Sequence, residues 1–137
     1  MKIVLDTNVL VSGLLNPYGP PGQIVRMVAD GKLSLCYDAR ILGEYREVLL
    51  RPAFAFQPHH VAALVEQIQS AGVSAAADPL PNRLPDRDDE PFLEVATASG
   101  VEYLVTGNPR HYPTPMCGPV QVLSPAEFLE VYRGNRS

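Results

Sequence analysis

The sequence predicts an α/β protein, a three-layer α/β/α sandwich around a central, mainly parallel sheet of four to five strands. Short blocks of the kind that become buried parallel strands recur along the chain: "KIVL", "LSLCY", "EYLVTG" and "VQVLS". Segments with apolar residues at helical spacing alternate with them, which implies strands joined by right-handed crossovers and covered on both faces. No internal repeat appears, and no linker is long enough to divide the chain, so residues 1–137 read as a single domain. A chain of this length removes roughly 65 to 70% of its unfolded surface from water and needs no metal or disulfide staple to fold.

The first strand, residues 2 to 5, ends at Asp6. After the loop "NPYGPPG", the segment "GQIVRMVADG" sets Ile24, Val25, Met27 and Val28 at helical spacing, with Pro21 near its start and Gly31 past its end. "LSLCY" is a second strand, and Asp38 caps the helix "ARILGEYREVLLR", whose stripe is Ile41, Leu42, Tyr45, Val48 and Leu49. Pro52 stops that helix, and Pro58 opens the next, with Val61, Leu64, Val65 and Ile68 on one face and Gly72 at its end. A weak strand follows around Val73. "DPLPNRLPDRDDEP" reads as a loop feeding the helix "PFLEVATASG". "EYLVTG" is a strand, and a second proline-rich loop, "NPRHYPTPMCGP", leads to the strand "VQVLS". Ser124, Pro125 and Glu127 form a capping box that starts the terminal helix "PAEFLEVYRG".

Hydrophobic residues make up 46% of the chain and its formal charge is −4, which fits a globular protein and argues against broad binding to a phosphate backbone through a basic face. Clustered carboxylates offset by divalent cations leave a nucleic-acid substrate open. Cys36 and Cys117 match no metal or redox spacing and read as buried or idle thiols in a reducing compartment. Asp6 interrupts the apolar N-terminal run, no small-residue cleavage site follows, and no segment approaches the roughly 20 apolar residues needed to span a bilayer. The expectation is a cytoplasmic protein without membrane association.

In open α/β sheets ligands bind beyond the carboxyl ends of the strands, where the strand order reverses. Asp6 stands at such an end. As a structural residue it would cap a turn by accepting the N–H of Asn8 or Val9; as a functional one it is a hard oxygen ligand for Mg²⁺ or Mn²⁺, with Asn8 to orient it. The densest supply of further acids is "DRDDEP", with Asp86, Asp88, Asp89 and Glu90. A helix start explains one or two of them, while four carboxylates within five positions repel one another unless a cation relieves them. Glu44 borders the apolar stripe of its helix, whereas Glu47 reads as a surface partner of Arg51 at i+4. "VTGN" sets Thr106 and Asn108 at the tip of a later strand, either as a plain turn or as polar members of the same site. His59 and His60 open a helix and read as exposed; His111, beside Arg110, is placed to meet a phosphate. No Gly-rich phosphate loop, Ser/His/Asp order or zinc spacing appears.

Taken in order, "VLDTNVLVSGLL", "ILGEYREVLLRPAF", "DRDDEPFLEVA", "YLVTGN" and "SPAEFLEVY" resemble the PIN-domain family, metal-dependent nucleases that include the toxin components of bacterial toxin–antitoxin pairs. The resemblance spans nearly the whole chain. It implies that Asp6, Glu44 and Asp89 are catalytic, metal-binding carboxylates, with Asp86 as a further acid and Glu90 behind it. Asn8, Thr106 and Asn108 would support them. Asn108 departs from the family, which usually has another acid there, and implies a three-acid centre with a neutral hydrogen-bonding partner.

The implied reaction is hydrolysis of RNA phosphodiesters with Mg²⁺ or Mn²⁺, leaving a 5′-phosphate and a 3′-hydroxyl. Arg46, Arg51, Arg83, Arg87, Arg110 and His111 are candidates to hold the RNA backbone. A homodimer and a cognate antitoxin protein are further implications. Two other classes compete: a non-catalytic PIN module that binds RNA or protein, and a phosphohydrolase with an aspartate nucleophile. The latter needs a second acid where Asn8 stands and a lysine in the site, and the only lysines are Lys2 and Lys32.

Overall fold

The computed structural model describes residues 1–134, so the last three residues of the expected 1–137 domain lie outside the described residues. Five parallel strands form one sheet in the order β3-β2-β1-β4-β5. They are β1 (Lys2–Leu5), β2 (Ser34–Tyr37), β3 (Val73–Ser74), β4 (Tyr103–Val105) and β5 (Gln121–Leu123). The helices are α1 (Thr7–Leu15), α2 (Pro20–Ala29), α3 (Ala39–Leu49), α4 (Pro58–Ala71), α5 (Glu90–Ser99) and α6 (Pro125–Gly134).

The chain steps outward from β1 to β2 and β3, then crosses back over the sheet to β4 and β5. That return carries α5, which meets α3 as well as the sheet: the Tyr45 and Phe92 ring centroids lie 6.5 Å apart. α5 packs across β1, β2 and β4, while α2 packs on α1 and α6, and α6 on β4 and β5. The strand order reverses between β1 and β4, whose pairing sets Val4 beside Leu104 and Leu5 beside Val105. Asp6 and Thr106, the next residue of each strand, meet at that point.

Ile3, Val4, Leu5, Leu104 and Val105 are fully buried, as a central parallel strand pair covered on both faces requires. Tyr45 on α3 is also fully buried, and its hydroxyl donates to the carbonyl of Leu5 at 2.6 Å, satisfying an oxygen at the end of the central strand. The two expected caps form. Asp38 accepts the N–H of Ile41 at 3.1 Å. Ser124 N–H donates to Glu127 at 2.9 Å, and Glu127 N–H donates back to the Ser124 hydroxyl at 3.2 Å.

α1 is an element that the apolar pattern does not announce. "VLVSGLL" continues the apolar run of β1, and its β-branched valines favour a strand as much as a helix. Tertiary packing decides the matter. α1 lies against α2 where both helices carry a glycine: a Cβ on Gly13 would stand 2.6 Å from the Pro21 carbonyl, and one on Gly22 would stand 2.2 Å from that of Pro17. Only a residue without a side chain permits so close an approach.

Candidate metal centre

The C-terminal edge of the sheet gathers acids from three segments. Asp6 follows β1 and is 7% exposed. Although it occupies the N-cap position of α1, its side chain makes no cap hydrogen bond. Its Oδ2 instead accepts from the Thr106 hydroxyl at 2.9 Å and the Tyr112 hydroxyl at 3.1 Å. Burial raises its pKa above the ordinary aspartate value; the Thr106 and Tyr112 hydroxyls, followed by the nearby N–H groups of Asn8 and Thr7, oppose that rise.

Thr106 is the hub of the supporting groups. It is fully buried; its hydroxyl donates to Asp6 and accepts from the Asn8 amide at 3.5 Å and the Asn108 N–H at 3.1 Å. The Asn8 side-chain oxygen accepts from Gly107 N–H at 3.0 Å, so the α1 start and the β4 end are tied together. Asn108 enters this network through its backbone N–H. Glu44 on α3 is half-buried and accepts a hydrogen bond from the Thr7 hydroxyl. Burial raises its pKa; the Thr7 bond opposes this, while the charges of Asp6, Asp88 and Glu47 add to it.

The four acids of "DRDDE" have different fates. Asp86 caps a 3-10 turn, Arg87–Asp89, by accepting the Asp88 N–H at 2.9 Å. Asp88 is exposed. Both oxygens of buried Glu90 are engaged, one by the Arg83 guanidinium at 3.0 Å and the other by the Leu84 N–H at 2.9 Å. One turn further along the helix, Glu94 repeats the arrangement with Arg40 at 2.7 Å and Leu80 N–H at 3.0 Å. These two glutamates staple the proline-rich loop to α5.

Asp89 remains. It is 8% exposed, makes no cap bond, and its Oδ2 is buried without a hydrogen-bond partner. His111 Nδ1 stands 3.2 Å from that oxygen, at ion-pair distance. Burial, then the charges of Asp6 and Asp86, push the Asp89 carboxyl up to about 6 against the opposing effect of His111. The charge of Asp6 thus acts on both Glu44 and Asp89. Among the described residues, the donor atoms that approach within 4.8 Å of one another belong to Asp86, Asp89 and His111.

The basic residues divide. Arg51 pairs with Glu47 at 3.2 Å, and Arg83 is held by Glu90. Arg46 reaches Gln69 on α4 at 3.5 Å; two residues along a helix from Glu44, it faces away from the acids. Arg87 lies between Asp86 and Asp89, while Arg110 shares a 3-10 turn, Pro109–His111, with His111. Lys2 and Lys32 sit at the start of β1 and just before β2, the end of the sheet opposite to Asp6. Cys36 and Cys117 are buried free thiols, their pKa values raised by burial. Among the described residues, no helix is long and apolar enough to cross a membrane.

Tyr112 is a site residue absent from the sequence reading. It is buried, with its hydroxyl on Asp6, and burial first, then the charges of Asp6 and Asp89, raise its pKa far above the usual phenol value, so it stays a donor. The one available signal is an aromatic residue enclosed in a loop of prolines. Tyr112→Phe removes that donor and should lower stability by about 0.5 to 1.5 kcal/mol in denaturant titration; an unchanged midpoint would refute the bond.

The raised acids also fix a pH dependence. Each binds its proton more tightly folded than unfolded, so without metal their contribution to stability is full below the ordinary carboxylate range and is lost as pH rises, for Asp89 through about 6. The melting temperature of Asp89→Asn, measured in chelator, should therefore rise relative to the parent between about pH 4 and pH 7. A constant difference would contradict it.

A parallel sheet with buried carboxylates at its switch point defines an α/β protein with a site beyond the carboxyl ends of its strands. Residues 2–110 match the PIN domain, and the chain belongs to that family. It is also 29% identical over 111 residues to an uncharacterized protein of Methanocaldococcus jannaschii, an alignment covering 79% of this chain and 71% of the relative.

Proposed function

We propose that the protein is a divalent-metal-dependent endoribonuclease, and that it acts as the toxin of a toxin–antitoxin pair. The observation that carries the metal-dependent reading is Asp89 Oδ2: a carboxylate oxygen shut away from solvent, with His111 Nδ1 at 3.2 Å, beside two further acids that raise its pKa. Such a group needs a compensating cation. Mg²⁺ or Mn²⁺ fits the oxygen-rich donors of Asp6, Glu44, Asp86 and Asp89.

When bound, the cation supplies an activated water and neutralises charge on the phosphoryl oxygens. The chain's own residues do the positioning. Thr106 and Tyr112 hold one oxygen of Asp6, and Thr7 orients Glu44. Arg87 and Arg110, exposed in the two turns beside the acids, are suited to hold the RNA backbone. The toxin role, an antitoxin covering the cleft and a homodimer rest on the family resemblance. A single domain over 1–137 and a cytoplasmic location rest instead on the sequence, which has no dividing linker and no membrane-length apolar segment.

The direct test is cleavage of single-stranded and structured RNA with Mn²⁺ or Mg²⁺, and its loss in chelator. Asp89→Asn should abolish cleavage, whereas Glu90→Gln, which keeps an acceptor for Leu84 N–H, should retain it within a few-fold. Cleavage that persists in chelator would overturn the metal-dependent reading. RNA binding with no change in length under any divalent cation would favour a non-catalytic module.

A further inference from the structure

We infer that Asp86, Asp89 and His111 form one cation site, with the His111 imidazole as a nitrogen ligand, and that this site prefers transition metals to Mg²⁺. The inference deepens the metal-dependent reading and rests on it. It assigns a donor that the three-acid scheme lacks, from a residue one place beyond the stretch matched to the family.

Spacing is the first support. The three donor atoms lie within 4.8 Å of one another, and His111 Nδ1 stands 3.2 Å from Asp89 Oδ2. Two ligands at about 2.1 Å from a shared cation, at angles between octahedral and tetrahedral, are separated by about 3.0 to 3.4 Å. The second support is the orphaned oxygen: Asp89 Oδ2 is buried with no hydrogen-bond partner although an imidazole nitrogen is in reach.

The backbone that carries the imidazole is held in place. The His111 backbone N–H donates to the Asn108 carbonyl at 3.0 Å, and the next residue is pinned by its own N–H to the Pro109 carbonyl and by its hydroxyl to Asp6. Asp86, with one oxygen on the Asp88 N–H, keeps acceptor capacity for a cation. Imidazole nitrogen is a poor ligand for Mg²⁺ and a good one for later divalent metals, so a donor set of two carboxylates and one histidine discriminates between them.

The test uses the full chain loaded with Mn²⁺ and read by pulsed electron paramagnetic resonance. The expected result is nitrogen-14 modulation from a coordinated imidazole, lost in His111→Ala and kept in the His59→Ala/His60→Ala double variant. Mn²⁺ affinity should fall at least about tenfold in His111→Ala, while Mg²⁺ affinity changes less than about twofold. His111 is half-exposed, so its removal leaves the core intact, and circular dichroism checks this. Bound Mn²⁺ without nitrogen modulation, or modulation that survives in His111→Ala, would overturn the inference and leave the metal-dependent reading standing. Absence of any Mn²⁺ binding would overturn both.

Discussion

Asp6→Asn should abolish metal-dependent RNA cleavage, by at least about a thousandfold, without lowering the melting temperature. The two effects separate because of what Asp6 touches. Its Oδ2 accepts from Thr106 and Tyr112, and an asparagine carbonyl of the same shape can accept from both. Burial disfavours the charge on this side chain, so neutralising it removes a destabilising feature of the metal-free fold. What disappears is the negative charge available to a cation at the end of the central strand. Undiminished cleavage would remove Asp6 from the metal set; loss of both cleavage and fold would show that Asp6 holds the β1–β4 junction instead.

Glu94→Ala should lower stability by about 2 to 4 kcal/mol, seen as a melting temperature reduced by roughly 10 °C. The buried carboxylate joins the Arg40 guanidinium on α3 to the Leu80 N–H of the proline-rich loop. Truncation strands the N–H and leaves Arg40 only Asp38 as an ionic partner. Because the same loop continues to Asp86 and Asp89, cleavage should weaken as well, but as a loss that added Mn²⁺ partly restores. A stability change within about 0.5 kcal/mol would show that the loop is held by its apolar contacts alone.

Much of the architecture was legible in the residues because a parallel α/β fold writes itself twice, once as short apolar blocks and once as helical stripes between them. Five strands and five of the six helices follow from that alternation. α1 does not, since one apolar run serves both a strand and a helix, and the change of backbone at Asp6 is set by packing against α2. In the site, Asp6 and Thr106 were readable as strand-end residues beside the switch point. Glu90 and Asp89 were not separable, being adjacent acids of similar chemistry. Only the tertiary structure shows that Glu90 is occupied by Arg83 and Leu84 while Asp89 faces His111 and Asp86. Tyr112 was invisible for a related reason: a proline-rich loop has no periodicity, so nothing local marks which of its residues turns inward.

The Asp6 carboxylate is fixed by partners 100 and 106 residues further along the chain. Synthesis from the N-terminus therefore produces this carboxylate long before the groups that orient it. A nascent chain that has emerged only as far as α5 carries Asp6, Glu44 and Asp89 but has neither the β4 hydroxyl nor the Tyr112 loop to position them. For a protein whose proposed substrate is RNA, such an order of assembly leaves the acids unoriented until β4 and the Tyr112 loop have been made.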